Sequence, residues 1–165
     1  VNNRIVSVVT NAIVANAWHH VMVTFDGGTT GVDSASLSDY HSRFSIVVDG
    51  VVKTGSLSHA GNGYDGAISG ANASNNLYRI GRHNNIFNEY ADIVINQLAF
   101  WDTDETANIA TIYNSGVPQD LSLLSSAPAH YYEFGSSVST VTDIAGSADL
   151  TGYNFVAGDL VTDTP

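Results

Sequence analysis

Three glutamates, Glu89, Glu105 and Glu133, are where acid–base chemistry would have to begin in this chain. Hydrolysis of a glycosidic bond needs two carboxylates about 5 to 9.5 Å apart, one to protonate the leaving group and one to attack or to activate water. Glu89 and Asp92 are separated by three residues, so on a strand they face opposite sides and cannot share a cleft. Glu105 reads as a helix-start residue, and Glu133 stands alone in the C-terminal part of the chain. No pair forms, and the expectation is a protein without catalysis. His19 and His20 are neighbours, which on a strand sends the two rings to opposite faces; one half-buried and one exposed imidazole is expected rather than a metal site. His41, His59, His83 and His130 are scattered, without zinc spacing, and "GRHNN" (81–85) lacks a phosphate-loop pattern. Sugar binding asks for an aromatic face beside amides and carboxylates. Tyr40-His41, Tyr64-Asp65 and Asn84-Asn85 offer those groups in long loops. Their competing role is to pack onto the sheet edge or onto a neighbouring subunit.

The elements that must hold these residues are strands. Ser, Thr, Asn and Gly are abundant while Lys, Glu and Leu are scarce, a composition of strands and turns. "RIVSVVT" (4–10) is short and β-branched. "WHHVMVTF" (18–25) alternates, with Val21, Val23 and Phe25 on one face and Trp18, His20 and Met22 on the other. In "FSIVVDGVVK" (44–53), Phe44, Ile46 and Val48 share a face, and Asp49-Gly50 supplies the positive φ of a two-residue hairpin. "LYRIG" (77–81) and "DIVINQLAFW" (92–101) add two strands, the second apolar enough on both faces to predict an inner strand covered on both sides. One helix follows: Ile109, Ile112 and Tyr113 form a single apolar stripe. Asp102 with Glu105 resembles a capping box, with Thr103 an equally good cap; Gly116 falls where a left-handed cap belongs, and Pro118 forbids continuation. The loops 26–43, 55–76 and 82–91 are long, and loops of that length carry function or interfaces.

Composition narrows the partners. Of 165 residues, sixteen are Asp or Glu and five Lys or Arg, for a net charge of −11. That balance excludes a nucleic-acid binder, which needs clustered cations for phosphates, and disfavours an anionic membrane surface. No apolar run approaches the ~20 residues that span a bilayer, so no membrane insertion is expected. There are no cysteines, hence no disulfide framework. The chain opens on Val1 without a visible signal peptide, as a fragment or a processed product would.

Several of these pieces occur in a set order: Trp18-His19-His20-Val21 running to Phe25-Asp26-Gly27, Val47-Val48-Asp49-Gly50, Ile80-Gly81, the strand into Trp101, and the helix closing on Ile112-Tyr113-Asn114-Ser115-Gly116. Over roughly residues 15 to 118 that order resembles the concanavalin A-like lectin/glucanase superfamily, in particular its laminin-G-like and pentraxin-like modules. The resemblance implies an all-β jelly-roll β-sandwich of two curved antiparallel sheets with one short helix near 103–115, occupying residues 1–126. "PAHYYEFG", "TDIAGSADLTG" and "AGDLVTDTP", in the C-terminal β segment 127–165, resemble segments attached to such modules in structural proteins of tailed bacteriophages. A "Y-x-F … D-x-x-G" stretch ordinarily opens such a domain and here closes the chain. Either the sandwich is permuted, or the segment packs on a neighbouring copy in an intertwined homo-oligomer. The implied protein is a non-catalytic virion surface or structural module, a phage tail fibre or capsid decoration, that adheres to host or environmental glycans. Its implied partners are other virion proteins or copies of itself, and its place the virion surface or the extracellular space. The alternative is a soluble or cell-surface lectin assisted by calcium. Related lectin modules hold calcium with hard oxygens, which Asp26 and Asp33, with Asp65 and the "GANASNN" loop (70–76), would supply. Asp26-Gly27, Asp49-Gly50 and Asp65-Gly66 fit plain turn chemistry equally well.

Overall fold

The Asp49-Gly50 turn sets the geometry of the sheet that carries it. Asp49 and Gly50 both have positive φ, 52° and 74°, the pair of values that lets a two-residue turn follow the right-handed twist of its strands. In the computed structural model, which describes residues 4–9, 12–25, 42–60, 80, 92–161 and 165, this turn joins β3 (Phe44–Val48) to β4 (Val51–Lys53). Strand β2 (Val21–Phe25) lies antiparallel on the other side of β3, with Val21 opposite Val48 and Phe25 opposite Phe44. The three form one sheet in the order β2-β3-β4.

Period-2 alternation gives this sheet two different faces. Thr24 and Val47 are buried on one, where Met22 packs against the core. On the other, Val21 and Val23 are 51% and 62% exposed, and the Phe25 and Phe44 rings stack at 4.7 Å. The alternation within β2 follows the expected one, but Trp18 and His20 precede the strand, and neither face is uniform: Val48 is buried beside exposed Val21, and Val52 is exposed beside buried Val47.

The remaining strands form small antiparallel pairs. β1 (Arg4–Val8) pairs with β5 (Ser56–Ala60). β6 (Gln97–Phe100) pairs with β7 (His130–Glu133), Gln97 facing Glu133 and Ala99 facing Tyr131. β8 (Thr140–Val141) pairs with β9 (Leu150–Thr151). The inner strand expected over 92–101 is a correction: only its second half enters a ladder, while Ile93, Val94 and Phe100 remain exposed. Pairing with β7 does not by itself bury a side chain: Phe100 is paired with His130 and still exposed, so apolar composition cannot say whether a second layer covers the strand's face.

Helix α1 (Ile109–Tyr113) is one turn of α-helix between two 3₁₀ turns, Thr106–Asn108 and Asn114–Gly116. Its stripe behaves as the spacing predicts. Ile112 joins Leu121 and Tyr131 in the core, with Met22, Ala99, Trp101 and Leu124 around them. Asn114, Ser115 and Gly116 all have positive φ, so the left-handed exit begins two residues before the glycine. The expected capping box is absent: neither Asn108 nor Glu105 caps the helix start with its side chain. Among the described residues the chain is thus mostly strands in small antiparallel sheets with one short helix, and no helix there is long and apolar enough to cross a membrane.

Candidate functional site

Four carboxylates, Asp143, Glu105, Asp49 and Glu133, organise the hydrogen bonding of the described residues. Asp143 is the most enclosed. Its Oδ2 lies 2.6 Å from His130 Nδ1 and accepts the Ala148 N–H, while Oδ1 accepts the N–H groups of Tyr131 and Gly146. Burial pushes this carboxyl upward, but the His130 contact and the three amides outweigh it and hold Asp143 well below the usual carboxylate range. Asp149 repeats the theme by accepting the Asp143 N–H, and the Tyr132 hydroxyl donates to the Ala148 carbonyl. The chain from 143 to 149 is thereby folded around one charge. Gly146 is required there, because a Cβ would lie 2.6 Å from Asp143 Oδ2 and 2.8 Å from the Ala129 carbonyl.

Glu105 stands at the helix start as expected, immediately before the 3₁₀ turn Thr106–Asn108, but its side chain does not cap it; buried, it accepts three side-chain hydrogen bonds. Thr103 and Ser126 hydroxyls donate to Oε1 and the Asn108 amide to Oε2, at 2.6 to 2.7 Å. Burial raises this carboxyl, and the three donors more than reverse the effect, leaving it lowered. Trp101 Nε1 donates to the Ser126 carbonyl, so Ser126 holds both Trp101 and Glu105.

The two histidines precede β2 rather than lying in it, so the strand rule does not separate them. Asp49, in the turn, reaches both: Oδ2 is 2.8 Å from His19 Nδ1, and Oδ1 accepts the His20 N–H. The Asp49 contact raises His19 against the opposing effect of burial, whereas burial lowers His20, against the Asp49 charge. The His20 ring sits 5.6 Å from that of Tyr113, and its Nδ1 has no partner among the described residues.

The fourth carboxylate belongs to a recess. Tyr131 points its hydroxyl across β6 and β7, where it donates to Glu133 Oε1 at 2.6 Å and receives the Gln97 amide at 2.7 Å. Gln97 also donates to the Gln119 carbonyl, and the Gln119 amide donates to the carbonyls of Thr111 and Ile112. Burial, followed by the hydrogen bond to Glu133 and its charge, pushes the Tyr131 phenol far above its ordinary value. Beside this network Asn96, Asp120, Glu133 and Phe134 line an open recess of about 310 Å³. A tyrosine nucleophile needs a depressed phenol; this one is held protonated.

Tyr40, His41, Tyr64, Asp65, Asn84 and Asn85, and the calcium candidates Asp26 and Asp33, lie outside the described residues. Gln97, Gln119, Tyr131, Glu133 and Asp143 were not singled out as a site by sequence reasoning. The D-x-x-G pattern, which Asp143–Gly146 and Asp149–Gly152 both fit, was an available signal, given as part of a resemblance and not as a carboxylate with amides around it. No protein-family model, no curated protein and no solved structure matches this chain.

Proposed function

We propose that this chain is a non-catalytic module of a virion surface, a tail-fibre or capsid-decoration unit, which adheres to glycans and assembles with copies of itself or with other virion proteins. The observation that carries the non-catalytic reading is the use of the acids among the described residues. Asp49, Asp143 and Glu105 are committed to backbone amides, imidazoles and hydroxyls, and Glu133 is bonded to a phenol held in its protonated form. A hydrolase keeps one carboxyl protonated and a second free to attack. The virion and glycan parts rest on the order of motifs and on the amide- and tyrosine-rich loops.

The same reading makes the fold a jelly-roll β-sandwich. On the face of β2-β3-β4 bearing Val21, Val23 and Phe44 these three side chains are exposed while Val48 is buried, so the apolar part left open is a surface that a second sheet would cover in a sandwich. Tyr40, His41, Tyr64, Asp65, Asn84 and Asn85 remain the proposed loop contacts for sugar, and Asp26 and Asp33 the proposed calcium ligands.

A glycan array run with calcium and again with chelator tests the reading. Binding that Tyr64→Ala or Tyr40→Ala abolishes supports adhesion through the loops. Binding lost to the chelator makes the chain a calcium-assisted lectin. A blank array in both conditions removes adhesion and leaves a building block, for which light scattering should report a homo-oligomer. Turnover of any glucan or galactan would overturn the non-catalytic reading.

A further inference from the structure

Helix α1 meets the β3–β4 turn at one tyrosine ring, and an imidazole lies against that ring. A Cβ on Gly50 would sit 2.5 Å from Tyr113 Cδ1, and one on Gly116 3.6 Å from the Tyr113 hydroxyl oxygen, so two glycines border the ring. The His20 ring closes the cluster at 5.6 Å, tilted by 48°. The backbone of His20 is fixed without its side chain. Its N–H donates to Asp49 Oδ1 at 3.0 Å, and the Asp49 N–H donates to the His20 carbonyl at 2.9 Å. The ring has no such tie at Nδ1, a buried nitrogen without a partner among the described residues. An imidazole so placed suits one charge state. Neutral, it can keep its single proton on Nε2 and leave Nδ1 a bare acceptor. Protonated, it carries an N–H at Nδ1 as well, and a buried donor without an acceptor is costly. The charged group of the turn that faces it, Asp49, has its Oδ2 2.8 Å from His19 Nδ1. From α1 it faces the Tyr113 ring, which offers Nδ1 no acceptor.

We propose that His20 is an acid-operated latch between the β2-β3-β4 sheet and helix α1. Neutral, its ring packs on Tyr113 and the helix is docked against the turn. On taking a proton the ring leaves Tyr113 for solvent, and α1 comes away from Gly50. His19 is what makes the step a release. Its contact with Asp49 raises it, so it is charged first, and the carboxylate is already engaged when His20 titrates. Burial holds His20 below its ordinary 6.5, against the opposing charge of Asp49. The docked state is therefore complete above 6.5 and is lost as pH falls through the folded-state midpoint. Neither His20 nor Tyr113 belongs to the core cluster of Ile112, Leu121 and Tyr131, so the release is local.

NMR of the whole chain between about pH 5 and 8 tests the latch. The His20 Cε1–H and the Tyr113 ring protons should shift with one common midpoint, below 6.5. Over the same step the hydrogen-exchange protection of the Asn114 N–H, which donates to the Ala110 carbonyl at the end of α1, should fall. Linkage fixes the size: at the end of the step the loss is about tenfold for each pH unit between the midpoint and 6.5. His20→Phe keeps an aromatic ring on Tyr113 and has no proton to gain, so there the Tyr113 shift and the loss of protection should both vanish. A Tyr113 ring indifferent to the His20 titration overturns the latch, as does a His20 that stays neutral down to about pH 5. Equal loss of protection in His20→Phe overturns it too. Should that variant fail to fold, the parent protein decides alone, by whether the two midpoints agree. The Trp101 indole N–H, which donates to the Ser126 carbonyl, should keep its resonance throughout. Its loss together with the Tyr113 shift would mean global unfolding and would overturn a local release.

Discussion

Replacing Asp143 by asparagine would keep the shape of the side chain and withdraw the charge on which His130 and three backbone amides converge. The folded-state pKa of this carboxyl is depressed, so its contribution to stability is present above the unfolded value of ~3.9. It disappears as pH falls through the folded value. Asp143→Asn should therefore lower the melting temperature at neutral pH, and the gap to the parent protein should close as pH drops below about 4. Thermal scans across that range check it; a gap constant with pH would mean that the amide replaces the carboxylate only in shape. His19 has the opposite sign. The Asp49 contact raises it, so its share of stability is complete below ~6.5 and fades as pH climbs through its folded value. The His19 Cε1–H resonance should titrate above 6.5, and in Asp49→Asn the midpoint should move down. A midpoint indifferent to Asp49 would remove the clamp between turn and histidine.

At the scale of elements, the β3–β4 turn and helix α1 are joined through one glycine. A Cβ on Gly50 would sit 2.5 Å from Tyr113 Cδ1, and its φ of +74° is unfavourable for any side chain. Gly50→Ala should cost about 1–3 kcal/mol, read as a fall in melting temperature of roughly 2–4 °C per kcal/mol for a chain of this size. In a Tyr113→Ala background the same change should cost less, because the clash is gone and only the backbone strain remains; equal costs in both backgrounds would deny the contact. This contact was beyond sequence reasoning, although the turn itself was not. Positive φ at Asp-Gly is a local property of two residues, and the Ile109/Ile112/Tyr113 stripe needs only five. Glu105 stands where a helix-start residue was expected, but the use of its side chain was not legible, because Ser126, one of its partners, lies 21 residues away and nothing within a helix-start pattern reports a donor at that distance. The strand expected over 92–101 failed for a related reason: hydropathy states that Ile93 and Val94 are apolar but not whether β7 extends far enough to pair with them. The recess is the extreme case, assembled from β6, β7 and the 118–120 segment, whose residues are each unremarkable where they stand in sequence.

For the molecule as a whole, the same carboxylates separate solubility from stability. Sixteen acids against five lysines and arginines give a net charge of −11, and the isoelectric point falls near 4.5. As pH approaches that value mutual repulsion between molecules vanishes, and association follows. Unfolding by acid has a different origin: it requires protonation of carboxylates that the fold holds in ionised form. Asp49, Glu105 and Asp143 all have depressed values, so their contribution persists at the isoelectric point and is withdrawn only below it. Light scattering near pH 4.5 should accordingly rise while near-ultraviolet circular dichroism, reporting the packed Trp101 and Tyr131, stays native. Loss of that signal should come at lower pH. Returning an associated sample to neutral pH should dissolve it without a refolding lag, since the particles would consist of folded molecules. If dichroism were lost together with solubility, the acids outside these three centres would have to govern stability, and the account of Asp49, Glu105 and Asp143 as the ties of the fold would fail at its largest scale.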